Sequence, residues 1–465
     1  MSEKSKAEQL REKLFMSKKN GLLSCDEAKW EKVTDFCEGY KKFLADGKIE
    51  REVVFEAIKI AEKAGFKPFD ASVQYKAGDK YYVNNRDKAA AFVVVGEKTV
   101  DNGIQITAAH IDSPRIDLKP NPLYEDTDLA LFKTHYYGGI RKYQWTTIPL
   151  ALHGVFAKKD GSVVNVSIGE EENEPCFVIT DLLPHLAQEQ SKRSLGDGIR
   201  GEELNILIGS RPFKDDKGGE LVKLNILAAL NEKYGVTEED FLSAELECVP
   251  AIKPRDIGFD RSLIGAYGHD DRVCAYPALM AITEIEKPSK TAIAILADKE
   301  EVGSNGNTGL NSDFLRFIVS DIAKNQGVDY TVALRNSKCL SADVNAAMDP
   351  TFKDVMEYKN AAKLNYGAVV TKYTGSGGKS NTSDASAEFI AYVRAMLDNA
   401  GIAWQTGELG RVDLGGGGTV AMYIANMGVD VVDLGVPVLC MHAPFEVVSK
   451  FDVYETYRTM YEFCK

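Results

Sequence analysis

Apolar residues recur at helical spacing in two early stretches. In "KWEKVTDFCEGYKKFLADG", Trp30, Val33, Cys37, Tyr40 and Leu44 fall on one face, and Gly47 follows as a stop. "EREVVFEAIKIAEKAGF" repeats the pattern through Val54, Ile58 and Ala61. Both predict surface helices packed by one face. The helical period then disappears. "KAAAFVVVG" and "IQITAAH" are short and almost continuously apolar, which predicts central strands covered on both faces. His110 closes the second, at the kind of carboxyl end where open α/β sheets place reactive groups.

From about Leu123 the texture changes. "TTIPLALHGVFAKKDGSVVNVSIG" predicts strand, turn and strand, with Asp160 and Gly161 supplying the turn, and "GELVKLNILAALNEKYG" predicts a helix. Near residue 243 the buried α/β texture returns. "LSAELECVPA", "TAIAILAD", "DYTVALR" and "GVDVVDLGVPV" are all strand candidates, and a helix is expected through "DASAEFIAYVRAMLDNAG", closed by Gly401. An α/β domain made of residues 1–122 and 243–465, interrupted by a β-rich insertion at 123–242, accounts for this order. A chain of 465 residues is long enough for two such units.

The formal net charge of -13 argues against nucleic acid as a partner and gives no support for docking on an anionic membrane. Neither an apolar leader nor a run of 18 apolar residues is present. The eight cysteines are dispersed without a CxxC pair, as expected of free thiols in the cytoplasm. The "GGGG" at 415–418 lacks the lysine pattern of a phosphate loop.

The candidate chemistry is scattered. "AILADKEEVGS" ends an apolar run with the adjacent acids Glu300 and Glu301, either a solvated turn or a metal ligand beside a proton carrier. In "AAHIDSP", an extended backbone would turn His110 and Asp112 the same way, so that Asp112 could orient the imidazole. "YGHDDRVCAYPALMAI" crowds His269, Asp270 and Asp271 at the start of a predicted helix. Acids there cap and offset the helix dipole, or one of them bridges two cations. "CLSADVNAAM" adds Asp343 and "VLCMHAPFE" adds His442, each equally readable as a turn acid or a packed histidine. No local spacing unites them. Strand ends do: His110, Glu300, Asp343 and His442 all follow apolar runs, and strand ends converge along one sheet edge.

These segments resemble the M18 family of metallo-aminopeptidases, the aspartyl aminopeptidase family, in its bacterial type. "HIDSPRIDLKPNPLYE", "GHDDR", "DKEEVGS", "SADV" and "MHAPFEVVS" match in family order, with "YYVNNRDKAAAFVVVG" and "PHLA" fitting too. The resemblance implies a mixed-sheet zinc-peptidase domain interrupted by a β-rich dimerisation and assembly domain, cleaving amino-terminal residues from peptides. It implies two divalent cations, Zn foremost with Co or Mn as alternatives. One is held by His110 and Asp343, the other by Glu301 and His442, with Asp270 bridging. Asp112 would support His110, and Glu300 would take a proton from the attacking water. His185, in "LLPHLAQEQ", would reach the site of a neighbouring subunit in dimers built into a tetrahedral dodecamer.

The sequence departs from the family in places. Asn345 and Met348 stand where many members have histidines. The lysine associated with acidic selectivity is matched directly by Thr371, with Lys372 one place later, so Lys372 is the candidate contact for an Asp or Glu side chain at P1. A related binuclear carboxypeptidase or N-acyl amino-acid deacylase would use the same inventory, and a non-enzymatic assembly with a degenerate metal site is the further alternative.

Overall fold

Both early helices form where the apolar spacing puts them. The first spans Glu27–Asp46, with Asp26 accepting from the Lys29 amide at its start and Gly47 at its end. It buries Val33, Cys37, Tyr40, Phe43 and Leu44. The second spans Glu50–Lys63 and buries Val53, Val54, Ala57 and Ala61. The computed structural model describes residues 4–215 and 217–465, and the remarks below concern those residues.

The described strands form three sheets, of nine, seven and five strands. Across the middle of the nine-stranded sheet run Ala89–Val94, Ala292–Ala297, Gln105–His110, Lys338–Ser341 and Asp430–Gly435. The last four are mutually parallel, while Ala89–Val94 is antiparallel to its neighbour, so the sheet is mixed. Strand alternation divides each apolar run between two cores. Ala90, Phe92, Val94, Ala292, Ala294 and Leu296 face the early helices together with His269–Glu284 and Lys450–Cys464. Ala89, Ala91, Val93, Ile293 and Ile295 face the helix Phe314–Gln326 on the other side. Helices on both faces explain why Ala89–Val94 and Ala292–Ala297 carry no polar positions.

The seven-stranded sheet has its own core around Ile116, Phe132, Trp145, Phe156, Phe241 and Cys248. It runs wider than the 123–242 stretch. Its strand Arg115–Asp126 begins before Leu123, and Ala244–Pro250, placed by texture with the α/β part, pairs with Leu150–Ala157 and Arg115–Asp126. The local pattern at either end does not say which sheet the strand joins.

One predicted strand is a helix. "DYTVALR" lies in Tyr330–Asn336, begun by Asp329, whose carboxylate accepts from the Thr331 amide at 2.8 Å. A short apolar run is ambiguous between the two states, and the capping Asp decides it. No described helix is long and apolar enough to cross a membrane.

Candidate metal centre

Four of the candidate side chains arrive where chains leave parallel strands. His110 is the last residue of its strand, with Ala297 its parallel partner across the ladder. Glu300 and Glu301 follow two residues beyond that partner strand, in the turn Glu300–Val302. On the other side Ser341 pairs with Ala108, which delivers Asp343 to the same edge. A Cβ on Gly435 would lie 1.8 Å from the Asp343 carbonyl oxygen, so only glycine lets the next strand pass there. Asp270 comes from the amino end of the helix His269–Glu284 and His442 from the turn after Pro437–Leu439.

The result is a compact constellation around Asp270. Its Oδ1 lies 3.1 Å from His110 Nε2, and its Oδ2 lies 3.1 Å from His442 Nε2. His110 Nε2 is 3.8 Å from Asp343 Oδ1 and also 3.8 Å from Glu300 Oε2. His442 Nε2 is 3.5 Å from Glu301 Oε2. Two groupings share Asp270, one with His110 and Asp343, the other with Glu301 and His442. A third joins His110, Glu300 and Glu301, and within each the ligating atoms lie within 4.8 Å of one another.

Glu301 Oε1 is buried without a hydrogen-bond partner in the protein, and His110 Nε2 and Asp270 Oδ1 face only each other, at 3.1 Å. A buried charge left unpaired costs several kcal/mol, roughly, so the cluster needs positive charge from outside the chain. Mixed imidazole and carboxylate donors suit Zn, and Co or Mn as well.

The electrostatics agree with a site built for cations. Burial pushes the Glu300 carboxyl up to about 7, with His110 opposing and Asp112 and Asp270 adding to the rise. Burial likewise drives Glu301 and Asp343 well above the usual carboxylate range. For His442 burial disfavours the charged form, but the hydrogen bond with Asp270 and the charge of Glu301 outweigh it and raise the imidazole to about 10.

Around the cluster stands a set of orienting contacts. Asp112 is fully buried. It accepts from the amides of Glu300 and Glu301 at 3.1 Å each, and from the Tyr137 hydroxyl at 2.8 Å. His110 Nδ1 is 3.0 Å from the Asp112 carbonyl oxygen and 3.2 Å from its carboxylate. Burial works against the Asp112 charge, but the bond with His110 overrides it and holds the carboxyl below its ordinary value. One residue thus turns His110 and pins the Glu300–Glu301 turn. Glu446 does similar work opposite, accepting from the amides of Asp270 at 3.1 Å and His442 at 2.8 Å. Burial, reinforced by Asp270, pushes Glu446 up to about 8.

The sequence did not single out Tyr137 or Glu446. Glu446 lies inside the quoted "MHAPFEVVS", four residues after His442, but Tyr137 carries no local signal at all. His269 sits apart from the cluster. It is buried, its Nδ1 is 2.7 Å from the Tyr40 hydroxyl, and burial lowers it to about 3, so it is a neutral core histidine. His185 is exposed and does not line the cavity of its own chain.

The cluster opens on a cavity of about 630 Å³, which Val344, Asn345, Thr371, Leu409, Met422 and Met441 help to line. Thr371 and Lys372 part company here. Thr371 ends the strand Ala368–Thr371 facing the cavity, where Asn345 Nδ2 donates to its hydroxyl at 3.0 Å. Lys372, on the alternate face, is half-exposed and ion-paired with Asp384. It lines a different cavity, with Ile390 and Trp404.

Known proteins match this chain over most of its length. Residues 43–464 match the family described as aminopeptidase I zinc metalloprotease (M18). A probable M18 family aminopeptidase 1 of Clostridium acetobutylicum is 51% identical over 95% of this chain and 97% of its own. The crystal structure of an M18 family aminopeptidase from Thermotoga maritima superposes with a TM-score of 0.93 at 45% identity, covering 97% of this chain and 99% of that one. The S. cerevisiae mApe1 dodecamer shares the fold at 20% identity and a TM-score of 0.74, over 92% of this chain and 96% of its own.

Proposed function

Since the chain belongs to the M18 family of zinc aminopeptidases, we propose that it removes amino-terminal residues from peptides with two divalent cations held by one shared carboxylate. The observation that carries this is Asp270, whose two oxygens each lie 3.1 Å from a different histidine, His110 on one side and His442 on the other. His110 and Asp343 complete one binding set, and Glu301 and His442 the other. A pair of cations there would supply an acidified water and a polarised peptide carbonyl. Glu300 belongs to neither Asp270-sharing set. It borders the cavity with a carboxyl placed to take a proton from the attacking water and return it to the leaving amine.

Among the described residues no lysine or arginine lines that cavity, and Val344, Leu409, Met422 and Met441 give it apolar surface. This favours uncharged side chains at P1 over Asp or Glu. The stretch around 123–242 is read as the assembly domain. Leu182, Leu183 and Leu186 stand exposed beside His185, a surface suited to a second copy of the chain. His185 would then serve a neighbouring site within a dimer and a larger closed assembly such as the dodecamer. The free cysteines fit the cytoplasm as its compartment.

Mass spectrometry of cleavage products tests the reaction. A free peptide and its carboxyl-amidated form should be shortened from the amino end, and the amino-acetylated form spared. The reverse preference would replace this reading with a carboxypeptidase or deacylase. A panel of peptides beginning with Leu, Ala, Asp, Glu or Lys tests P1, and a lead by Asp and Glu would overturn the uncharged preference.

A further inference from the structure

The end of the strand Leu129–Tyr137 belongs to the seven-stranded sheet, yet it touches the supports of both histidines in the cluster. Tyr137 donates its hydroxyl to Asp112 Oδ2 at 2.8 Å, and Asp112 orients His110. Two residues later the Gly139 carbonyl oxygen accepts from His442 Nδ1 at 2.8 Å. Between them Gly138 has φ of 75°, and a Cβ there would lie 3.3 Å from both Cβ and Oε2 of Glu301. We propose that Tyr137, Gly138 and Gly139 form a positioning clamp, through which the seven-stranded sheet sets the orientation of the cation ligands on the nine-stranded sheet.

An imidazole whose Nδ1–H is committed presents Nε2 as a lone pair in a fixed direction. For His442 the Gly139 carbonyl makes that commitment directly, across 303 residues of sequence. For His110 it is made by Asp112, and of the side chains and amides that donate to Asp112, Tyr137 is the contributor from the other sheet. The phenol is itself held. The Arg115 guanidinium carbon lies 3.8 Å from the ring centroid, and Arg115 Nε is fixed by Asp117 at 2.8 Å and Glu247 at 2.9 Å. Burial and the charge of Asp112 keep the hydroxyl protonated, so it acts only as a donor in that bond. Tyr136, the preceding residue, is 40% exposed and does not contact the cluster.

The inference rests on the reading that the cluster binds cations, and the test separates the two. The metal-free full-length chain is titrated with zinc against a chelating chromophore, as the parent and as Tyr137→Phe, Gly138→Ala and Tyr136→Phe. Tyr137→Phe and Gly138→Ala should each weaken zinc binding by about 10- to 100-fold. They should also shift the visible absorption of the cobalt-substituted protein and lower kcat more than they raise KM. Tyr136→Phe should match the parent throughout. Should Tyr137→Phe lose its cooperative melt, Gly138→Ala decides the matter. Parental zinc affinity and an unchanged cobalt spectrum in both clamp variants would overturn the clamp alone. A parent chain that binds no zinc would instead remove the cation reading, and this inference with it.

Discussion

Replacing Glu300 by Gln isolates proton transfer from everything else the site does. The turn is held by its backbone, the Glu300 amide donating to Asp112 Oδ1 at 3.1 Å, so the change leaves that anchor in place. The side chain is 18% exposed and keeps its length and shape as an amide. Glu300 stands in one grouping, with His110 and Glu301, but in neither of the two that Asp270 joins. Zinc content should therefore stay at the parental value. What disappears is the acceptor: a positioned general base contributes about 10²–10⁴ in rate, or roughly 3–5 kcal/mol of barrier. The assay is kcat and KM on a leucyl peptide, paired with metal analysis of the same sample. A fall of at least 100-fold in kcat with metal and KM near parental values is expected. A kcat within tenfold of the parent at full metal content would refute the role, and loss of one zinc equivalent would make Glu300 a ligand instead.

Three further outcomes follow from the same geometry. His185→Ala and Glu300→Gln chains, each inactive alone, should regain activity when unfolded together and co-assembled, because a mixed pair contains one site with both groups intact; no recovery would place His185 in its own chain's site. Lys372→Met should leave the ratio of aspartyl to leucyl cleavage unchanged, since Lys372 pairs with Asp384 away from the cavity, and a selective loss of aspartyl cleavage would contradict that placement. His153, away from the cluster, should make stability pH-dependent. Burial disfavours its charge, but hydrogen bonds with Glu170 and Glu52 outweigh this and raise it to about 9 in the fold. Its stabilisation is then complete below the unfolded value near 6.5 and lost as pH climbs through 9, roughly 3 kcal/mol in all. Urea midpoints between pH 6 and 10 should flatten in His153→Gln, and an unaltered slope would remove His153 as the source.

Periodicity alone was enough for the helices Glu27–Asp46 and Glu50–Lys63, because one-sided burial writes a 3.6-residue repeat into the sequence. The same holds for Ala89–Val94, whose burial on two faces removes every polar position, while Gln105–His110 keeps only Thr107 between its polar ends. The chemistry of the cluster was legible as an inventory of residues after strands, and the motifs around them carried the family. Other features are invisible in one dimension. Local patterns do not say which sheet a strand joins, so Arg115–Asp126 and Ala244–Pro250 needed their partners to be placed. Nor do short apolar runs separate strand from helix, and at Tyr330–Asn336 the Asp329 cap tipped the balance. One residue of register sends Thr371 into the cavity and Lys372 to the opposite face, a choice fixed by strand pairing. That Asp270 faces two histidines, and that Gly139 meets His442, are contacts between segments far apart in sequence. Sequence determined which groups were available and which elements carry them; only the packing of the sheets against one another decided which of those groups meet, because register and sheet edge set direction and distance between residues that no local pattern connects.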